Sequence, residues 1–192
     1  MEERIFVSFR IDDEPFGAML IQRELSDAFG RETIFRSSDS IKPGDDYVRC
    51  ITRAIRRCEV MIVVMGRNWL VLDDDGRSRL DDAADWVYRE IALAFAHGKR
   101  VFPVLLGAAR MPRETDLPHT IAQLNRCQYR RLEHRQFGVN MALIVSDLEE
   151  MLASPDPAGQ NAPPATQGGW SALNGAGPTT WAPVQPNGRQ HP

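Results

Sequence analysis

The segment Asp85-Trp86-Val87-Tyr88-Arg89-Glu90-Ile91 holds the residue pair best suited to chemistry. At about 100° per residue, Ala84, Val87, Ile91, Ala94 and Phe95 gather on one helical face that should pack on a sheet. Trp86 and Glu90, four positions apart, lie just off that stripe. Asp85 and Arg89 fit an ordinary i,i+4 ion pair on the solvated side. Glu90 does not, because its neighbours three and four positions away are Trp86, Val87, Leu93 and Ala94, none of them basic. A carboxylate at the edge of an apolar face beside an indole is a candidate for a raised pKa and for contact with a ligand. The rival reading is a border carboxylate satisfied by a neighbouring element.

Other constellations point away from familiar chemistries. A dinucleotide site would want G-x-G-x-x-G directly after the first strand, so that backbone amides meet a pyrophosphate. That place reads Arg10-Ile11-Asp12-Asp13-Glu14-Pro15-Phe16-Gly17, which would set three carboxylates against a phosphate. Asp12-Asp13 is similar to the acidic pair of a response-regulator receiver, but Met65-Gly66-Arg67 and Leu106-Gly107-Ala108 supply neither the phosphorylatable Asp nor the Lys that chemistry needs. Asp73-Asp74-Asp75-Gly76 puts Val71 where the first carboxylate of a calcium loop belongs, so a solvated acidic loop is expected there. Cys50, Cys58 and Cys127 make an odd count without C-x-x-C spacing, and His97, His119, His134 and His191 do not cluster, so no metal site is expected.

The elements that must position Trp86 and Glu90 are legible as apolar runs. Arg4 to Phe9, Glu59 to Met65 and Val101 to Leu106 are continuously apolar and β-branched, as in strands buried on both faces; Thr33 to Phe35 and Tyr129 to Leu132 are weaker strands. Helical periods fall at about 16–29, 46–57, 82–97, 117–126 and 139–152. Five alternations of strand and helix predict a doubly wound α/β domain with a five-stranded parallel sheet, whose ligand crevice lies outside the carboxyl ends of the strands. Pro103 inside one strand predicts an edge or an irregularity there.

Composition sets the frame. Of 192 residues, 43% are hydrophobic and 26% charged, as in a globular protein, with 23 Lys plus Arg against 26 Asp plus Glu. A net charge of −3 gives no global attraction to nucleic acid or to an anionic membrane, so neither is an expected partner. Residues 153–192 hold eight of the 13 prolines and six of the 14 glycines, and their charged residues are Asp156 and Arg189. That composition predicts a disordered Pro/Gly-rich tail after a folded domain at 1–152, with Trp170 and Trp181 its large aromatic side chains. Without an apolar run of about 18 residues or a leader-like start, the expected location is the cytoplasm, with reduced thiols.

With these residues in place, the chain resembles the Toll/interleukin-1 receptor (TIR) domain family, in particular its bacterial, NAD-cleaving members. Phe6-Val7-Ser8-Phe9-Arg10 is similar to the family's opening box, F-[IV]-S-[YF]-R. Ile34-Phe35-Arg36-Ser37-Ser38-Asp39-Ser40-Ile41-Lys42-Pro43-Gly44 resembles the second strand and the BB loop that ends in Pro-Gly. Asp85 to Ile91 matches the W-x-x-x-E segment that carries the catalytic glutamate of enzymatic members. The likeness spans about residues 4 to 150 and implies the flavodoxin-like TIR fold. Ile11, where many members carry a second Arg, and Ser37, where an Asp often follows the second strand, depart from the pattern; Asp39 supplies a carboxylate nearby.

The resemblance implies an NAD+ glycohydrolase that cleaves the bond between nicotinamide and ribose and yields nicotinamide with linear, cyclic or conjugated ADP-ribose, in bacterial defence or signalling. NAD+ is then the substrate, with no resident cofactor. A carboxylate suits the oxocarbenium character that develops on the sugar. Glu90 would be catalytic; Phe9 and Trp86 would border the nicotinamide and ribose; Arg10 would steady the diphosphate, and Asp39 would complete the substrate-binding set. Arg10 has a rival reading as a surface ion pair with Asp12 or Asp13. The alternative function is a non-catalytic module that assembles with itself or with other TIR domains through the loop at 36–47. A nucleoside-processing transferase is a third possibility, and an enzyme product would imply a downstream effector that senses it.

Overall fold

The computed structural model describes residues 3–35, 41–70, 78–82 and 84–154. Strands β1 (Ile5–Ser8), β2 (Ile34–Phe35), β3 (Val60–Met65), β4 (Arg100–Leu106) and β5 (Arg130–Leu132) alternate with helices α1 (Pro15–Phe29), α2 (Tyr47–Arg57), α3 (Trp86–Ala96) and α4 (Phe137–Ala153). The strand order is β2-β1-β3-β4-β5 and each neighbouring pair is parallel. This is the five-stranded doubly wound sheet expected from the alternation of apolar runs. The order reverses direction between β1 and β3, and the crevice at such a switch point opens beyond the carboxyl ends of those two strands.

Two apolar layers cover the sheet, and the period of two along each strand sorts the side chains between them. Ile5 and Val7 of β1 join Ile62, Val64 and Val104 beneath Ile21 and Leu25 of α1 and Ile144 and Leu148 of α4. Phe6 faces the other way, stacked on Phe35 at 5.1 Å between ring centroids, in the layer with Ile51 and Ile55 of α2 and Ile91 and Phe95 of α3. At the amino ends of β1 and β4, Arg4 donates to the carbonyl of Leu152 at 2.9 Å, and Arg100 to those of Met151 at 2.6 Å and Ser154 at 2.9 Å. Two arginines thereby cap the carboxyl end of α4, where the helix dipole favours cations.

Three local expectations are corrected. Pro103 does not mark an edge strand, since β4 lies between β3 and β5. Pairing with β5 begins only at Val104, and because the amide of Arg100 points to β3, alternation turns the nitrogen of Pro103 toward the β5 side just before that ladder starts. A missing N–H is tolerated there. The helix expected at 117–126 is a 3-10 helix, His119–Arg126, whose buried Ile121 and Leu124 stand three apart, the spacing that a 3-10 turn stacks on one line. The helix expected from residue 82 starts at Trp86, because a short 3-10 turn at Arg79–Asp81 precedes it and Asp85 forms its N-cap.

Candidate functional site

Glu90 lies within the buried face of α3, not beside it, at 5% exposure with Val87, Ile91, Ala94 and Phe95. Ala84, expected on that face, is exposed. The helix is set down so that Glu90 meets the carboxyl end of β1, where Ser8 Oγ donates to Glu90 Oε2 at 2.6 Å. Ser8 is 1% exposed. Burial pushes Glu90 up to about 8, opposed by the Ser8 hydrogen bond, reinforced by the Asp85 charge and opposed again by Arg10. The expected upward shift is present, and its main cause is desolvation.

The N-terminus of α3 is fixed by a second buried contact. Asp85 accepts the backbone N–H of Tyr88 at 2.8 Å as the N-cap. Its two oxygens also receive Arg10, Nη1 at 2.5 Å and Nη2 at 3.1 Å. The Arg10 Nε donates to the carbonyl of Trp69 at 3.0 Å, and the guanidinium lies 5.7 Å from the centroid of that indole. The surface pair with Asp12 or Asp13 is therefore replaced by a buried pair with Asp85. Asp12 instead pairs with Arg79 at 2.9 Å.

Asp13 holds two loops together. It accepts the backbone N–H of Gly66 at 2.6 Å and of Asn68 at 2.9 Å, immediately beyond β3. A Cβ on Gly66 would fall 2.2 Å from Glu14 Cγ and 2.5 Å from Asp13 Oδ1, so this approach requires glycine. The turn after β3, where a nucleotide-binding relative of this architecture could present amides to a phosphate, is thus filled by a carboxylate of the chain itself.

Trp86 is half-buried. Tyr47, the first residue of α2, meets its ring edge-on with centroids 4.8 Å apart, and the Arg89 guanidinium lies 5.2 Å from the ring centroid. The end of the 36–47 loop is thereby tied to Trp86, since Asp46 caps α2 by accepting the N–H of Arg49 at 3.0 Å. Phe9 does not join Trp86 on this side of the sheet. Alternation along β1 turns Ser8 toward α3 and Phe9 toward the opposite layer, where it packs half-buried against the core under α1 and α4. Ile11, at the departure from the family box, is 73% exposed.

The structure therefore brings together Ser8, Arg10, Asp85, Trp86 and Glu90 at the carboxyl ends of β1 and β3. Asp39 and Ser37 of the loop, the acidic segment 73–76, and Trp170 and Trp181 lie outside the described residues. Ser8 was not singled out from sequence; its signal was a polar residue on the same strand face as Phe6, inside a run that must be buried. Among the described residues, no three His, Cys, Asp or Glu side chains converge as metal ligands would. Burial pushes the thiols of Cys58 and Cys127 up to about 12 and about 11, so neither supplies a thiolate at neutral pH.

A cavity of about 450 Å³ lies at the other end of the sheet, among Arg100, Phe102, Tyr129, Arg130, Asp147 and Met151. Arg130 there is paired with Asp147 at 2.5 Å, and Arg100 donates to the carbonyls at the end of α4. No helix among the described residues is long and apolar enough to cross a membrane.

Comparison with known proteins agrees with the fold. The family model of the TIR domain matches residues 5–140. Among solved structures, the TIR domains of the activated Roq1 resistosome directly recognizing the pathogen effector XopQ superpose with a TM-score of 0.56 at 13% identity, over 77% of this chain and 99% of that one. A metazoan TIR-STING receptor from C. gigas in complex with 2',3'-cGAMP superposes with a TM-score of 0.53 at 18% identity, over 79% of this chain and 39% of that one. At these identities the likeness is one of fold. No curated protein matches the chain.

Proposed function

Because the chain belongs to the TIR domain family, we propose that it is an NAD+ glycohydrolase of that family's NAD-cleaving branch, with Glu90 as the catalytic carboxylate. The observation that carries this reading is Glu90 itself, a carboxyl group sunk at the carboxyl edge of β1, one helical turn from Trp86 and, among the described residues, hydrogen-bonded to Ser8 and in no ion pair with a basic side chain. In the proposed reaction the N-glycosidic bond breaks and nicotinamide leaves as the neutral base with the bonding electron pair. Ionised Glu90 stabilises the cationic ribose, and water adds its oxygen to C1 and gives up a proton. Attack by a nucleophile within the ligand, or by a second molecule, would give a cyclic or conjugated product in place of ADP-ribose. NAD+ is consumed as substrate, and the free thiols of Cys50, Cys58 and Cys127 suit a cytoplasmic setting.

Incubation of the purified protein with NAD+ should release nicotinamide, and Glu90→Gln should lower the rate about a hundredfold or more. Equal turnover in the variant would remove Glu90 from the mechanism. The near-complete burial of Glu90, at 5% exposure, favours a second reading in which the chain is an assembly module and its carboxyl group stays closed. Turnover that rises steeply with protein concentration would join the two roles, since assembly would then open the site. An absence of turnover at every concentration, with self-association intact, would leave the module alone.

A further inference from the structure

We propose that Ser8 is a positioning residue for the reaction assigned to Glu90: its hydroxyl fixes the carboxyl group at the sheet edge in the orientation from which it meets the ligand. This inference rests on the proposed catalytic role of Glu90. Ser8 is the last residue of β1 and pairs in register with Val63 of β3, so its Cα is held by the sheet and not by a loop. On the same face of β1, Phe6 is fully buried in the apolar layer, and a hydroxyl that follows it at 1% exposure needs a partner. That partner is Glu90 Oε2, at 2.6 Å.

Among the described residues, the charged groups acting on Glu90 from the surrounding elements are Asp85, at the start of α3, and Arg10, at the exit of β1, and they act with opposite signs. They are also bound to each other bidentately. The neutral donor Ser8 therefore stands as the contact that holds the ionised form of Glu90 against its burial. A hydrogen bond donated to a carboxylate stabilises its ionised form more than its neutral one. Its removal should raise the titration of Glu90 by about one pH unit or more.

The test uses the full chain as wild type, Ser8→Ala and Ser8→Thr. kcat/KM for NAD+ is followed from acidic to alkaline pH, and the Glu90 carboxyl carbon is titrated by NMR with Glu90→Gln as the assignment control. Ser8→Ala should move the rising limb of the profile and the NMR titration by about one unit toward alkaline pH, with about tenfold lower kcat at neutral pH. KM should change little, and Ser8→Thr should return both curves toward wild type. A uniform loss of rate at every pH, or an NMR titration that Ser8→Ala does not move, would overturn the inference. Wild type without turnover at any pH would overturn the proposed function. The NMR titration would then still decide whether Ser8 governs Glu90.

Discussion

Replacing Arg10 by Met keeps much of the side-chain stem over Trp69 and removes the guanidinium that Asp85 receives bidentately. The side chains of the pair are 4% and 5% exposed, so the variant leaves a carboxylate buried without its counter-charge. Breaking a buried pair from one side costs about 3–5 kcal/mol. In a domain of this size each kcal/mol corresponds to roughly 2–4 °C, so Tm should fall by roughly 6–20 °C. Asp85→Asn should cost a similar amount by stranding Arg10, while retaining an N-cap acceptor for Tyr88. The double variant should cost much less than the sum of the two, with a coupling energy of about 2 kcal/mol or more. Urea unfolding of the four proteins at neutral pH, followed by circular dichroism, measures the cycle. Single variants within about 1 kcal/mol of wild type, with additive effects, would refute the clamp. If Arg10 steadies the diphosphate instead, Arg10→Met would raise KM for NAD+ and leave stability intact.

Two further expectations need no substrate. Glu90 titrates at about 8 in the folded protein, above its ordinary value of 4.5, so the folded state holds the extra proton and stability falls as pH rises through the window between those values. Glu90→Gln removes that dependence, and its stability relative to wild type should grow from about zero near pH 4.5 to a gain of a few kcal/mol above pH 8, read by urea unfolding at both ends; a gap that ignores pH would refute the buried carboxyl. Gly66→Ala should cost about 1–3 kcal/mol, because its Cβ would fall 2.2 Å from Glu14 Cγ and would push the loop of Asp13 off the amides of Gly66 and Asn68; an unchanged urea midpoint would show that the two loops part easily.

The sheet was legible because buried parallel strands write themselves as continuous apolar runs, and even the two residues of β2, Ile34 and Phe35, stood out between polar neighbours. Pro103 misled because the chain alone does not say where a neighbouring strand begins to pair. The 3-10 helix at His119–Arg126 was read as α-helical because one short turn offers too few apolar positions to separate a period of 3.0 from 3.6. At the site, Glu90 is a candidate on sequence because its own helix offers it no basic partner, and its catalytic role comes from the family resemblance. Its partner Ser8 and the pair Arg10 with Asp85 are contacts between elements far apart in the chain, and local spacing carries no trace of them. The place of Phe9 at the ligand is implied by the family resemblance alone, and the strand's alternation, which local spacing does not relate to Trp86, sends its ring to the opposite layer.

The two arginines at the end of α4 have a practical consequence for handling the protein. Arg4 and Arg100 hold the carbonyls of Met151, Leu152 and Ser154 at the amino ends of β1 and β4, while Ser8 and Glu90 meet at the carboxyl end of β1. Ser154 itself therefore sits at the pole of the domain away from the Glu90 carboxyl group. A dye, an affinity handle or a surface tether placed there would leave the approach to Trp86 and Glu90 clear, and immobilised copies would present that approach to solution.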